Sequence, residues 1–242
     1  MPAPIADPFA RLSALEGVGS AMAATRDGID ALLRDRGLRQ SAPDLTGESL
    51  LRGAHASAVL DGADATLDDV RAGSTDPIAR AAVRLSAELL ALVPVLGSSP
   101  LQALARLHTV AGKAVAEDAD LGRPRDEDSA RRLGDLGRRL VVDTSAPALV
   151  VAAVVHAEIA TAAPFVSHNG LVARAAERLV LVARGVDPKA LVVPEAGHLA
   201  LRREYESNLH GYRDGGGAGV HAWLLYAAEA YAAGAEASPL NS

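Results

Sequence analysis

Cysteine is absent from all 242 residues, which removes disulfides, thiolate zinc sites and thiol nucleophiles together. Aromatic side chains are scarce at 3%, although 49% of the chain is hydrophobic. The core must therefore be built from Ala, Leu and Val at close spacing, which favours helices packed on helices. Excess positive charge is missing too. The formal net charge is −6, and Lys and Arg form no stripe that could neutralise phosphates along a duplex, so no nucleic-acid partner is expected. Long apolar runs are also lacking: Ala146 to Ala157 is the most hydrophobic stretch, and His156 and Glu158 close it short of bilayer length. Met1 to Ala10 has neither a basic n-region nor an apolar h-region. A cytoplasmic protein with no membrane partner is the resulting expectation.

Helical periodicity fills the rest of the chain. Asp76-Pro77, Ser99-Pro100 and Asp187-Pro188 each place a capping side chain before a proline, predicting three helix starts. Ile78, Ala82, Leu85, Leu89 and Leu92 keep a 3.6-residue rhythm, and so do Leu101, Leu104, Leu107, Val110 and Val115. Further helices are predicted over 17–34, 46–60, 127–141, 146–162, 170–184, 196–210 and 219–234. Loops are expected at Gly37 to Thr46, Gly122 to Asp128 and Asp214 to Gly217. Leu191 to Val193, bounded by Pro194, is the best short strand candidate. The run Gly215-Gly216-Gly217 lacks the Lys-Ser/Thr of a P-loop and reads as a helix connection. Histidines 55, 108, 156, 168, 198, 210 and 221 include no HExxH or other close ligand pair, so no metal site is expected, and no GxSxG elbow is present.

The informative stretch is His156 to Arg178, HAEIATAAPFVSHNGLVARAAER. An apolar helix runs to about Ala163, a loop follows through Pro164 to His168, and Asn169 opens another helix with Gly170 in its first turn and Arg174 in its second. Free N–H groups and the positive dipole end at such a start suit an anion such as phosphate. Gly170 lets a ligand approach the backbone, and Arg174 can offer paired donors to the same anion. The competing reading is Asn169 as a plain N-cap and Arg174 as a solvated surface residue.

This segment resembles the signature HPFx(D/E)GNGRxxR of the Fic/Doc (Fido) family, laid on Ala163 to Arg174 without a gap. Pro164, Phe165, Asn169, Gly170 and Arg174 match, and His156 stands where many members carry a histidine in the preceding helix. The resemblance implies an all-α, Fic-like helical bundle with at most a vestigial β-hairpin flap, for which Leu121 to Asp128 is the only place. It implies one domain over 1–242, with an N-terminal helical extension over 1–72 and a core over 73–242. It implies AMP transfer from ATP to a protein hydroxyl, driven by positioning and charge. In the family the loop histidine is the general base, the acid holds Mg²⁺, the region around the asparagine cradles phosphates, and the arginines bind the outer phosphates. Here Ala163 replaces the base, Ser167 the acid, His168 the first glycine and Leu171 the first arginine. Loss of a general base alone typically costs about 10²- to 10⁴-fold in rate. His168 is the candidate for a displaced base.

Ser57 to Gly62, SAVLDG, is similar to the inhibitory-helix motif (S/T)xxxE(G/N), with Asp61 in place of glutamate. The family reading sets Asp61 opposite Arg174; the plain reading is a helix ending at Gly62. Val193-Pro194-Glu195, Tyr205, Asn208, Asp214-Gly215 and Trp223 resemble the tail of a Fic core. The leading expectation is a degenerate Fic-domain protein acting by nucleotide, phosphate or protein-partner binding, with ATP or another nucleotide as ligand and Mg²⁺ needed only for activity. The alternatives are an active nucleotidyltransferase with a non-standard base, and a helical module for homo-oligomer assembly.

Overall fold

The computed structural model describes residue 7 and residues 9–34 and 38–241. Within them the chain forms α1 (Ala10–Ser13), α2 (Val18–Leu33), α3 (Leu38–Leu60), α4 (Leu67–Arg71) and α5 (Pro77–Leu89). A 3₁₀ turn (Leu90–Leu92) leads into α6 (Val93–Ser98), followed by α7 (Pro100–Gly112), α8 (Glu127–Leu140), α9 (Ala148–Ala162) and α10 (Asn169–Ala183). The chain closes with α11 (Pro194–Ala200), α12 (Arg202–Asp214) and α13 (Gly216–Glu236). No strand occurs among the described residues, and the expected flap region is turn and coil as far as Asp126, where α8 takes over. The architecture is all-α.

Helix α9 explains the layout. Leu149 through Ala157 are all buried, as expected of a helix apolar on every side. Such a helix needs cover all round, and α10, α12, α13 and α8 supply it. Helix α10 is sandwiched in turn between α9 and the layer of α3, α5, α6 and α7. Its start is thereby set beside the end of α3. Trp223 of α13 is fully buried and donates its indole N–H to the Ala153 carbonyl at 2.8 Å, which pins α13 to α9.

Several expectations need correction. Helix begins at Leu38, so most of the loop expected over Gly37 to Thr46 is helical, and Pro43 lies inside α3; Gly37 itself lies outside the described residues. Pro43 is the sixth residue of α3 and forfeits one i→i−4 hydrogen bond, and packing of α3 on α5 and α11 outweighs that loss. Asp76 caps Ile78 and Ala79 as expected, whereas Ser99 makes no side-chain cap. Asp187-Pro188 starts no helix: the buried Asp187 carboxylate accepts the Val192 N–H at 2.7 Å and closes a turn instead. Leu191 to Val193 is not a strand; Val193 N–H meets only the Gly234 carbonyl, 3.0 Å away. The helix predicted over 196–210 starts earlier, at Pro194, and breaks at Leu201. The loop expected over Asp214 to Gly217 shrinks to Gly215, because α12 runs to Asp214 and α13 begins at Gly216.

One stretch is longer than the apolar runs suggested. Pro77–Ser98 is continuous enough in helix, at 22 residues and hydropathy 1.5, to cross a membrane by length and composition. Its apolar face packs on α3, α7 and α10, and Arg84 reaches from it to the carbonyls of Val110 and Ala111, both at 3.2 Å. This packing buries 33% of its most apolar window.

Candidate anion site at the start of α10

Ala163 turns the chain out of α9 at φ 43°, a left-handed backbone that costs alanine about 1 kcal/mol. The Pro164 carbonyl then accepts the Arg125 N–H at 2.9 Å. Phe165 is buried and stacks on the His108 ring of α7, with centroids 4.4 Å apart and planes 9° off parallel. His168, at φ 55°, is the N-cap residue, so α10 starts at Asn169 and is not capped by it. The asparagine amide serves the loop: Oδ1 accepts the Phe165 N–H at 2.9 Å and Nδ2 donates to the Phe165 carbonyl at 2.8 Å. Asn169, placed by sequence among the anion-binding residues, is thus a clamp on the turn.

The turn is open backbone leading to a helix start, and the chain's own carboxylate meets that start. Helix α3 ends at Leu60 and Gly62 leaves it at φ 98°, which sets Asp61 against Gly170. A Cβ at Gly170 would lie 3.0 Å from Asp61 Oδ2 and closer still to Oδ1. Arg174 is no surface residue; it is 1% exposed. Its Nε donates to Ser57 Oγ at 2.8 Å, Nη1 to Tyr205 Oη at 3.0 Å, and Nη2 to the Ser57 carbonyl at 3.0 Å and to Asp61 Oδ1. Burial works against its charge, but Tyr205 and Asp61 outweigh burial and hold the guanidinium firmly protonated. Ser57, Asp61, Gly62, Gly170 and Arg174 therefore form one constellation, with the Asp61 to Arg174 contact direct.

The positions that bear on group transfer look different. Ala163 offers no titratable group. Leu171 is buried in the apolar core, and Ser167 Oγ lies 3.5 Å from His108 Nε2. His108 Nδ1 accepts the Gly122 N–H at 3.0 Å; burial, reinforced by His168 and opposed by Asp120, pushes its pKa down to about 4. His168 Nε2 is buried without a hydrogen-bond partner. Burial lowers its pKa as well, against the pull of Asp61 and with the help of Arg84.

Behind Arg174 lies a polar network that sequence spacing does not reveal. Tyr205 Oη joins Arg174 to His156 Nε2, 2.9 Å away. His156 and His198 both approach Glu177 Oε2, at 3.0 and 2.9 Å. One turn further along α10, Arg178 is clasped by Ser49 Oγ (2.6 Å), the Ala190 carbonyl (2.9 Å) and Glu195 Oε2 (3.2 Å). The one signal in the sequence is Arg174, Glu177 and Arg178 at helical spacing inside an otherwise apolar helix, which aligns three charged groups on one buried side. Asn208, by contrast, only donates to the Glu204 carbonyl of its own helix.

No protein-family model and no curated protein matches this sequence. Solved structures do. A Fic family protein from Desulfovibrio desulfuricans G20 superposes with TM-score 0.74 at 16% identity, over 92% of this chain and 74% of that one. A fragment of Fic-1 from C. elegans gives 0.72 at 17%, over 94% and 72%, and a variant of that fragment gives 0.71 at 18%, over 94% and 72%. Likeness over nearly the whole chain, at identities too low to carry more than architecture, makes this a protein with the Fic-family fold.

Proposed function

We propose that this chain is a Fic-fold protein that works by binding and not by nucleotidyl transfer, and that its ligand is a phosphate-bearing nucleotide admitted when Asp61 leaves the start of α10. The observation that carries this reading is Arg174. A guanidinium has five N–H donors, and here its donors are directed at Ser57, Tyr205 and Asp61 while the residue is buried. An incoming anion must compete with Asp61 for both the arginine and the helix start. Release of that carboxylate would leave a buried cation and free N–H groups, the features that favour phosphate. Catalysis is a poor fit, because Ala163 and Ser167 supply neither a base nor a carboxylate for a metal.

A time course with labelled ATP on cell lysate tests the non-catalytic part. No protein labelling above an Arg174→Ala control is expected, and robust transfer that needs Arg174 would overturn it. The second reading, in which His168 replaces the missing base, is favoured by its unpartnered Nε2. It requires labelling that vanishes in His168→Ala.

A further inference from the structure

Glu177 sits in the middle of α10, facing α9, α11 and α13, with no exposure to solvent, and His156 and His198 flank it with none either. One ligand atom from each residue lies within 4.8 Å of the other two, and His156 Nδ1 and His198 Nε2 are the nitrogens that approach Glu177 Oε2, at 3.0 and 2.9 Å. Two imidazoles and one carboxylate are a donor set suited to zinc and its neighbours in the first transition row.

The other atom of each group is held by a tyrosine. His156 Nε2 is 2.9 Å from Tyr205 Oη, His198 Nδ1 is 2.8 Å from Tyr226 Oη, and Glu177 Oε1 accepts from Tyr231 Oη at 2.8 Å. That is the outer arrangement metal ligands need: in the tautomers that carry the proton on these far nitrogens, each imidazole turns a lone pair inward. His156 Nδ1 supplies a further pointer. It is buried and 3.0 Å from Glu177 Oε2, yet the alignment makes no hydrogen bond, so the atom lies beside the carboxylate without a hydrogen-bond partner. The nearby guanidinium of Arg174 is already paired with Asp61.

We infer that His156, Glu177 and His198 form a structural site for a divalent cation of the zinc class. Three protein ligands leave one position to a water, within a tetrahedral shell. The ion would tie α9, α10 and α11 together directly behind Arg174, and enclosure means that it enters while the chain folds. Histidine spacing could not reveal this site, because its ligands come from three helices.

The test is to unfold the full chain in urea with chelator, refold it with zinc, dialyse, and measure bound metal. About one zinc per chain should remain, with a higher Tm than protein refolded in chelator. Cobalt in place of zinc should give the visible absorption of a tetrahedral nitrogen and oxygen site. Glu177→Gln, which keeps the shape and removes the charge, should fold and retain no zinc, while His210→Ala, which removes an exposed histidine, should retain it in full. Wild-type protein that refolds and keeps no zinc would overturn the site. Zinc retained equally by Glu177→Gln would overturn it too, since the metal would then lie on the surface.

Discussion

At the scale of single residues, two side chains set apart what the turn can and cannot do. Ala163 occupies a left-handed backbone at φ 43° where a glycine would sit without steric penalty. Ala163→Gly should therefore raise stability, by up to about 1 kcal/mol once the extra freedom of the unfolded glycine is deducted; an unchanged or lower denaturation midpoint would contradict the backbone assignment. His108, fully buried under Phe165, must stay neutral in the folded protein. Its folded pKa of about 4 lies below the ordinary 6.5, so the unfolded chain takes up a proton first as the medium is acidified. Its contribution is intact above pH 6.5, declines as the pH falls toward about 4, and is flat below, with a total of at most about 3 kcal/mol. Burial depresses His156 and His168 in the same direction, so urea titrations at intervals between pH 7 and pH 4 should show a shared decline that His108→Gln makes shallower without abolishing it. A slope unchanged by the substitution would place the titrating group elsewhere.

At the scale of elements, close approach between α3 and α10 builds the site. Gly53 of α3 lets the Arg178 to Glu195 pair pass: a Cβ there would come within 2.8 Å of Glu195 Oε2 and closer still to Arg178 Nη1. Gly53→Ala is thus expected to destabilise by about 1–3 kcal/mol through overpacking against a buried ion pair. Chemical denaturation checks it, and a neutral result would mean that the pair moves freely aside. This layer also shows where sequence reading reaches its limit. The turn from Ala163 to His168 and the facing of Asp61 toward Arg174 were legible, because a family-like pattern fixes both ends of the contact. The hold of Asn169 on Phe165 was not legible, because an asparagine at a helix start has several local uses and only the position of Phe165 decides among them. The contacts among Tyr205, Glu177, Arg178 and His198 and their partners escaped because packing brings them together, which no local spacing encodes. The loop expected over Gly37 to Thr46 and the helix start expected at Asp187-Pro188 failed for a related reason: helix packing and a buried side-chain turn overrode local propensity.

At the scale of the whole molecule, the end of α3 meets the amino end of α10. Ser57 and Asp61 hold the buried cation that the resemblance assigns to phosphate. The same arginine touches Tyr205 and, through it, the enclosed His156, Glu177 and His198 group, so the proposed anion site and the proposed metal site share a wall. A protein arranged in this way should respond to loss of one exposed-side carboxylate more than to loss of any group in the loop. Calorimetric titration of ATP into wild-type protein and Asp61→Ala, with a matched pair lacking Arg174, addresses this most directly. Wild type should bind weakly or not at all, Asp61→Ala at least about tenfold more tightly, which corresponds to about 1.4 kcal/mol, and Arg174→Ala should abolish the gain. Equal affinity in wild type and Asp61→Ala, or a gain that survives removal of Arg174, would contradict the claim that Asp61 closes an anion site at the start of α10.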